Sequence, residues 1–329
     1  MKKITVILSS ILILFFGLTI FLPNLVNWNE YKNIIEDKIK DRTGRTAEIR
    51  GDIKLELLPS PAIWINDVRI KNINQSKYLN QISIKAVEAR INIMSMFNRQ
   101  IQIKKLRIVE PSLRIEKYLN NQTNMFISPN EIEKVVNDEF FKGIGNTNNI
   151  INNSQSTSKI TPSFLTRIDD FIIVDGSIEY YDHNKVASKR IDQINSDFAV
   201  ASLSGPMTGS GVAVFQGVKI KFNLDLGEIV KDRTLPLNVK LSSVSSNSKF
   251  EISGAVTKLN SNPQLSGSFR FEDENLSKFI GLFNQNMTVS RGLEKSVNVS
   301  GKIKVTNESF LLSKLLLNFD GVEGIGLIS

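Results

Sequence analysis

The chain has 329 residues, 41% of them hydrophobic and 22% charged, with 41 Lys and Arg against 33 Asp and Glu and a net charge of +8. It holds no cysteine and a single histidine, which excludes disulfides, thiolate metal sites and the usual zinc ligand sets. The basic balance does not mark a nucleic-acid binder: Lys and Arg are scattered, aromatics are not interleaved with them, and no nucleic-acid motif is present. It reads as a Lys-, Ile- and Asn-rich bias, with a mild attraction to anionic lipid head groups as its one physical consequence.

The run Ile4–Leu22 carries no charge, and Lys2, Lys3 and the amino terminus stand in front of it. At about 1.5 Å per residue it is long enough to cross a hydrocarbon core of ~30 Å, so residues 1–26 are expected to form a transmembrane anchor. The short leading flank is purely positive, whereas the following flank mixes Glu30, Lys32, Glu36, Asp37, Lys38 and Lys40. Positive charge stays inside, which places the amino terminus in the cytoplasm and the body outside. A cleaved signal peptide is the competing reading. Its apolar core would be shorter and end at a small-residue site, and Phe21-Leu22-Pro23-Asn24-Leu25-Val26-Asn27-Trp28 offers no such pair. Trp28 suits the aromatic belt at the membrane interface.

Asn27-Trp28-Asn29-Glu30 has capping-box spacing and predicts a helix to about Asp41, with Tyr31, Ile34, Ile35 and Ile39 on one stripe and Gly44 as its stop. Strict alternation follows. Ala47, Ile49, Gly51, Ile53, Leu55 and Leu57 face one way and Glu48, Arg50, Asp52, Lys54 and Glu56 the other, the pattern of a half-buried strand. Pro59 and Pro61 punctuate a turn. A second run presents Ile63, Ile65, Val68 and Ile70 with a phase slip at Asn66-Asp67 that reads as a bulge. A third presents Val87, Ala89, Ile91 and Ile93, and short runs follow at Ile101-Gln102-Ile103, Leu106-Arg107-Ile108 and Leu113-Arg114-Ile115. Strands at turn-length intervals without intervening helices predict an antiparallel meander. Ser128-Pro129-Asn130-Glu131 opens a capped helix to about Phe141, and residues 142–163 form an Asn- and Ser-rich linker or loop. Strand grammar resumes over 164–329, with a bulge or turn near Gly176 in the Phe171–Tyr180 run and one helix at Asn275–Leu282. The organisation is thus an anchor (1–26), a helix plus β segment (27–141), a linker (142–163) and a second β segment (164–329). The fold class is mainly β with a few helices.

Catalytic constellations are missing. His183 beside Asp182, with Ser177 nearby in sequence, would make a general-base pair, but Tyr180-Tyr181-Asp182-His183-Asn184 reads better as a polar hairpin tip. Ser156-Thr157-Ser158-Lys159 and Ser246-Asn247-Ser248-Lys249 fit S-x-x-K without S-D-N or K-T-G partners, and chance explains them. Gly205-Pro206-Met207-Thr208-Gly209-Ser210-Gly211 lacks the lysine of a phosphate loop and reads as a loop. The expectation is a protein without enzymatic activity, cofactor or metal.

One ordered set of motifs carries a resemblance. The anchor, Asn27-Trp28-Asn29-Glu30-Tyr31, Thr43-Gly44-Arg45, Gly51-Asp52-Ile53, Leu58-Pro59-Ser60-Pro61, Ile65-Asn66-Asp67-Val68-Arg69-Ile70 and Leu106-Arg107-Ile108-Val109-Glu110-Pro111 resemble the start of AsmA-family proteins. Asp175-Gly176-Ser177-Ile178 through Ser202-Leu203-Ser204-Gly205-Pro206 extends the likeness. The resemblance implies a single-pass protein of the bacterial inner membrane with a periplasmic body. It also implies a long, curled antiparallel sheet, the repeating β-groove of lipid-transfer proteins, and a part in phospholipid movement toward the outer membrane and in its integrity. Full-length members run on past the point where Asp320–Ser329 stops, inside what reads as a strand, so a split or truncated version is expected.

A sheet with one apolar face must cover it with another sheet, a helix, a partner or a lipid. Periodicity leaves an open groove and a filled core equally open; the resemblance favours the groove. Its expected lining is Ile49, Ile53, Leu55, Leu57, Ile63, Ile65, Val68, Ile70, Val87, Ala89, Ile91 and Ile93. The expected partners are phospholipid and the inner membrane, with outer-membrane or periplasmic proteins beyond them and no nucleic acid. The rival expectation is a non-catalytic assembly factor for outer-membrane proteins with a filled sandwich core.

Overall fold

The computed structural model describes residues 25–58, 60–72, 76–92, 94–95, 101–119, 123–124, 165–202, 204–230, 234–259, 263–283, 291–306 and 309–328, with Ser10 and Gly17. The run Ile4–Leu22 falls outside them apart from those two positions, and so do the expected helix of 128–141 and the linker 142–163. Among the described residues no helix is long and apolar enough to cross a membrane.

Among the described residues sixteen strands form one sheet. In chain order they are β1 (Ala47–Ile49), β2 (Ile53–Glu56), β3 (Ala62–Lys71), β4 (Asn80–Ile91), β5 (Ile101–Val109), β6 (Ser112–Lys117), β7 (Leu165–Asp182) and β8 (Ala187–Val200). Then come β9 (Met207–Phe215), β10 (Val218–Leu226), β11 (Leu235–Ser243), β12 (Lys249–Thr257), β13 (Gln264–Asp273), β14 (Val297–Val305), β15 (Phe310–Phe319) and β16 (Val322–Ile328). Spatial order follows the chain from β7 to β16. At the other end β1 and β2 share one lane beside β3, and β5 and β6 share one lane between β4 and β7. Fourteen lanes result, a sheet about 60 Å across at ~4.8 Å per lane.

The antiparallel expectation needs one correction. β5 and β6 both pair with β7 in parallel, whereas every other strand pairing among the described residues is antiparallel, so the sheet is mixed. A parallel neighbour is reached only through a crossover of a dozen or more residues, and residues 118–164 make that connection. The segments 27–141 and 164–329 therefore contribute to one continuous sheet.

The first helix also departs from expectation. Asn27 gives its side chain to the Glu30 carboxylate (3.1 Å) and caps no backbone N–H, so the chain enters through a 3₁₀ turn, Trp28–Tyr31, before α1 (Lys32–Thr43). Gly44 ends α1 in the left-handed region (φ 66°), its N–H bonded to Lys40 O at 2.7 Å. Ile35 faces the sheet, whereas Tyr31 and Ile34, expected on the same stripe, face outward. The lane formed by β1 and β2 is an edge of the sheet, and its outward N–H groups are met by this region. Glu36 Oε1 accepts from Ile49 N–H (2.6 Å) and Asn29 Oδ1 from Ile53 N–H (3.0 Å). An edge covered in this way offers no template for strand addition.

The strand expected over Ala47–Leu57 is broken at Arg50–Asp52, although its alternation runs on without interruption. The break lies opposite the bulge expected at Asn66-Asp67. Arg50 N–H and Gly51 N–H donate to Asp67 O and Asn66 O, and Asn66 N–H returns to Asp52 O. Asp67 has φ 46°, and left-handed residues recur at Glu110 (47°), Asp175 (52°) and Gln193 (51°). These positions lie in β3, between β5 and β6, in β7 and in β8, so one transverse crease crosses the first half of the sheet. Its members are tied together: Glu110 N–H donates to Val174 O, and Asp175 N–H to Asn195 Oδ1. Each slip of one residue resets the two-residue period, so Phe171 and Ile173 before Asp175 and Ile178 after it keep the apolar phase.

One further reading changes and one stands. Met207–Gly211, expected as loop, belongs to β9, and the helix expected at Asn275–Leu282 is present as α2 (Leu276–Phe283).

Candidate functional site

Register places the apolar residues of all lanes in continuous rows. One runs Ile53, Ile65, Val87, Ile108, Ile173, Ser196, Gly211, Phe222, Leu241, Phe250, Phe271, Val299, Leu317, each directly opposite the next. The neighbouring row runs Leu55, Ile63, Ala89, Leu106, Phe171, Phe198, Gly209, Leu224, Val239, Ile252, Phe269, Gly301. Directly opposed residues share a face, so the sheet carries one apolar band from its first lane to β14 and beyond.

The band is covered unevenly. At the first lanes Ile49, Ile53 and Val68 are buried in a cluster with Trp28, Ile35, Ile63, Ile65, Ile84 and Val87. Of the residues expected to line a groove, these form a helix-on-sheet core; Leu55, Leu57, Ile70, Ala89 and Ile91 are half-buried, and Ile93 lies outside the described residues. Trp28 packs into this core and against Tyr31 (5.9 Å between rings).

From β7 onward most of the band is half-buried, as in β10, where Ile220, Phe222, Leu224 and Leu226 alternate with exposed Lys219, Lys221, Asn223 and Asp225, while Phe198 and Phe269 of the second row are buried. Its aromatics touch one another along the band: Phe171 and Phe198 at 6.0 Å, Phe198 and Phe222 at 6.4 Å, Phe250 and Phe269 at 6.4 Å. α2 reaches it through Phe279, whose ring is 4.8 Å from Phe271. A second buried cluster, Phe269, Ile303 and Leu315, lies within the sheet itself.

Glycines in the band sit where strands crowd. A Cβ on Gly254 would meet Ser266 O at 2.2 Å, and one on Gly267 would meet Ser253 O at 2.3 Å; the two glycines are directly opposed. On Gly209 and Gly211 it would meet the backbone of β8 at 2.3 and 2.4 Å and the rings of Phe198 and Phe222. Close backbone approach on the apolar side is a reason for glycine within a strand.

The opposite face is charged and internally paired along strands, as in Arg50–Glu48 (2.9 Å), Arg167–Asp169 (2.6 Å) and Arg270–Glu272 (3.7 Å). Such exposed pairs contribute little stability. They keep the face wet at those positions, whereas Glu88 of β4, on the same face, is buried and paired with Arg90.

A polar cluster at one end of the sheet absorbs the lone histidine. Glu116 of β6 is 0% exposed. Its carboxylate accepts from His183 Nε2 (2.8 Å), Lys77 N–H (3.0 Å), Asn72 Nδ2 (3.2 Å) and the Ser76 hydroxyl. Burial raises its pKa, but the bonds from Ser76, His183 and Lys77 outweigh that and hold the carboxyl below its ordinary value of 4.5. His183 lies between Tyr118 (5.2 Å, stacked) and Tyr181 (4.8 Å, edge-on). Nearby, burial and the Glu179 carboxylate push the Tyr78 phenol up to about 12. Asn124 Oδ1 accepts from Glu116 N–H (2.8 Å), and its carbonyl accepts from Arg45 (2.6 Å) and Gln81 (2.9 Å). The cluster therefore joins the start of the crossover to β6, the β3–β4 connection and the β7–β8 turn. Ser177 is not brought to His183: it stands six residues earlier on β7, about 20 Å along an extended strand. Ser246 and Ser248 occupy the β11–β12 turn, where Ser248 Oγ donates to Asp273, and Ser156-Thr157-Ser158-Lys159 lies outside the described residues. Among the described residues no group of three or more His, Cys, Asp and Glu is placed to hold a metal.

A model of the AsmA family matches residues 1–317. The chain belongs to the AsmA family. The matched span takes in the uncharged run, the α1 core, the crease and the apolar band as far as β15, and leaves out β16. No curated protein matches this AsmA-family chain.

Residues of the band beyond β4, such as Phe171, Phe198, Phe222, Leu224 and Val239, were legible as alternating strands but were not singled out as lining. The alternation Val218–Leu226 is as regular as that of Ala47–Leu57; what was missing was the register that puts both on one face.

Proposed function

We propose that this AsmA-family protein is anchored in the inner membrane by Ile4–Leu22, with its body in the periplasm, and that its sheet curls about the apolar band to carry phospholipid acyl chains toward the outer membrane without chemistry. The observation that supports it is the pair of in-register apolar rows, half-buried at most positions from β7 onward, as at Phe222, Leu224, Val239 and Ile252. Each CH₂ withdrawn from water is worth about 0.8 kcal/mol, so an apolar trough returns much of what a chain gives up on leaving the bilayer. Its walls make no directional bonds, which leaves the chain free to slide. The opposed Gly254 and Gly267 support the curl, since crowding on one face is the geometry of a sheet bending toward it.

Native mass spectrometry of the full chain, extracted in mild detergent, tests this together with photo-crosslinking lipid probes. Bound phospholipid and crosslinks at Leu224, Val239 and Ile252, with weaker ones at Leu55 and Ile91, are expected. Val239→Asp should keep the fold and lose at least half of the co-purifying lipid. Lipid-free protein with no crosslink at any of these positions overturns the proposal and returns the assembly-factor reading.

A further inference from the structure

The segment that carries α1 has two apolar sides. Trp28 and Ile35 face the sheet and complete the core around Ile49, Ile53 and Val68. On the other side Leu25 is 78% exposed, Val26 42%, Tyr31 47% and Ile34 56%. Scattered exposed apolar residues are ordinary, but four within ten positions, at the start of a helix whose later outward residues are Asp37, Lys38, Lys40 and Asp41, are not scattered. They begin three residues after the uncharged run ends at Leu22. Helix and sheet together leave this patch uncovered, and its neighbour in sequence is the one stretch fit for hydrocarbon.

We propose that Leu25, Val26, Tyr31 and Ile34 rest in the head-group region of a phospholipid bilayer, making the start of α1 an interfacial strut. This rests on the anchor reading given under the proposed function. Tyr31 becomes the aromatic of the interface belt, and Trp28, the residue first expected there, turns inward as the strut's attachment to the protein. The charged second half of α1 leads away from the surface, so contact ends within two turns. Because Asn29 and Glu36 hold the N–H groups of Ile53 and Ile49, the first lane of the sheet is fixed to the strut and thereby set at a defined attitude to the bilayer.

The absence of cysteine makes the test direct. Single substitutions Ile34→Cys, Tyr31→Cys, Lys40→Cys and Ile13→Cys are introduced into the full chain. Each is labelled with an environment-sensitive fluorophore and reconstituted into vesicles of phosphatidylethanolamine and phosphatidylglycerol. Quenchers are carried on the lipid at head-group depth or dissolved as iodide. Labels at Ile34 and Tyr31 are expected to be quenched from the lipid at least threefold more than the label at Lys40, and from iodide correspondingly less. If Ile13 reports hydrocarbon while Ile34 and Tyr31 match Lys40, the strut is wrong and the anchor stands. If Ile13 itself is open to iodide, the anchor fails and the strut with it.

Discussion

Ile53 in β2 and Phe222 in β10 stand in the same row of one sheet, yet their surroundings differ. Ile53 is 7% exposed beneath Trp28 and Ile35. Phe222 is half-buried, with Gly211 and Leu241 opposite and the Phe198 ring at 6.4 Å. The first lanes spend their apolar face on a helix, and the later lanes leave theirs to neighbours within the sheet. Alternation in the sequence is the same in both regions. What separates them is how a second layer arrives: α1 packs into a buried cluster at the first lanes, whereas α2 reaches the later ones through the contact of Phe279 with Phe271.

The sharpest way to break this comparison is a matched truncation. Ile53→Ala removes buried methyl groups from a packed core and is expected to cost about 2–4 kcal/mol. Val239→Ala, in the half-buried band, should cost about 1 kcal/mol or less, since less apolar area is lost from burial. Denaturant titration of the full chain in detergent measures both. Equal losses would show that the later lanes are as filled as the first.

Glycine substitution asks whether crowding in the later lanes is a property of the fold. Gly254→Val places a side chain where its Cβ would lie 2.2 Å from Ser266 O, and an expected loss of about 1–3 kcal/mol follows from forced displacement of backbone. Gly217→Ala gives the contrast: nothing lies within 4 Å of its Cβ, but φ is +82°, so its loss is confined to backbone strain of roughly 1 kcal/mol. If Gly254→Val is the milder of the two, the close approach of β12 and β13 does not limit the sheet.

The joint between the two regions is the parallel lane, and Glu116 holds it. Glu116→Gln keeps the shape but weakens bonds to His183 and Lys77; a loss of about 1–2 kcal/mol is expected. The sign of the pH effect follows from the lowered folded pKa. Stability from this carboxylate is complete above its ordinary value of 4.5 and is lost as pH falls through the lower folded value. Thermal unfolding followed from neutral to acid pH should therefore show an acid-side decline in the native chain that Glu116→Gln reduces. An unchanged decline would place the acid-sensitive groups elsewhere.

Much of this architecture was legible because it is local. The slip at Asn66-Asp67 announced a local irregularity, which is the left-handed Asp67, Gly44 announced the end of α1, and Asn275–Leu282 read as a helix within one residue of α2. The break at Gly51 was hidden because Ala47, Ile49, Gly51, Ile53 and Leu55 keep a perfect two-residue period through it; the interruption shows only in the register, where the three residues Arg50–Asp52 stand against the two residues Asn66-Asp67 of β3. The parallel lane was illegible for a related reason: strand direction is set by the crossover, and no residue of β7 encodes which way its neighbour runs. Glu116 and His183 lie 67 positions apart, so neither carries a sign of the other. Asn27 and Glu30 had the right spacing for a capping box, but the two side chains satisfied one another.

The smallest expected effect concerns the crease, which both regions share. Asp67 lies in the covered lanes, Gln193 at the edge of the uncovered ones, and Asp175 between them, all near φ +50°. A left-handed backbone costs an L-residue roughly 1–2 kcal/mol, less for Asp, whose short side chain tolerates it. Asp175→Gly relieves that strain but gives the unfolded chain about 0.5–1 kcal/mol of added freedom, so the two nearly cancel and a change within ~0.5 kcal/mol is expected. Asp175→Ile has no such compensation, because a β-branched side chain resists this conformation, and it should lose about 1–2 kcal/mol. Denaturant titration separates the pair. A neutral Ile would mean that the phase reset in β7 is imposed by its neighbours, through the bond from Asp175 N–H to Asn195, and that the crease belongs to the sheet as a whole, covered and uncovered lanes alike.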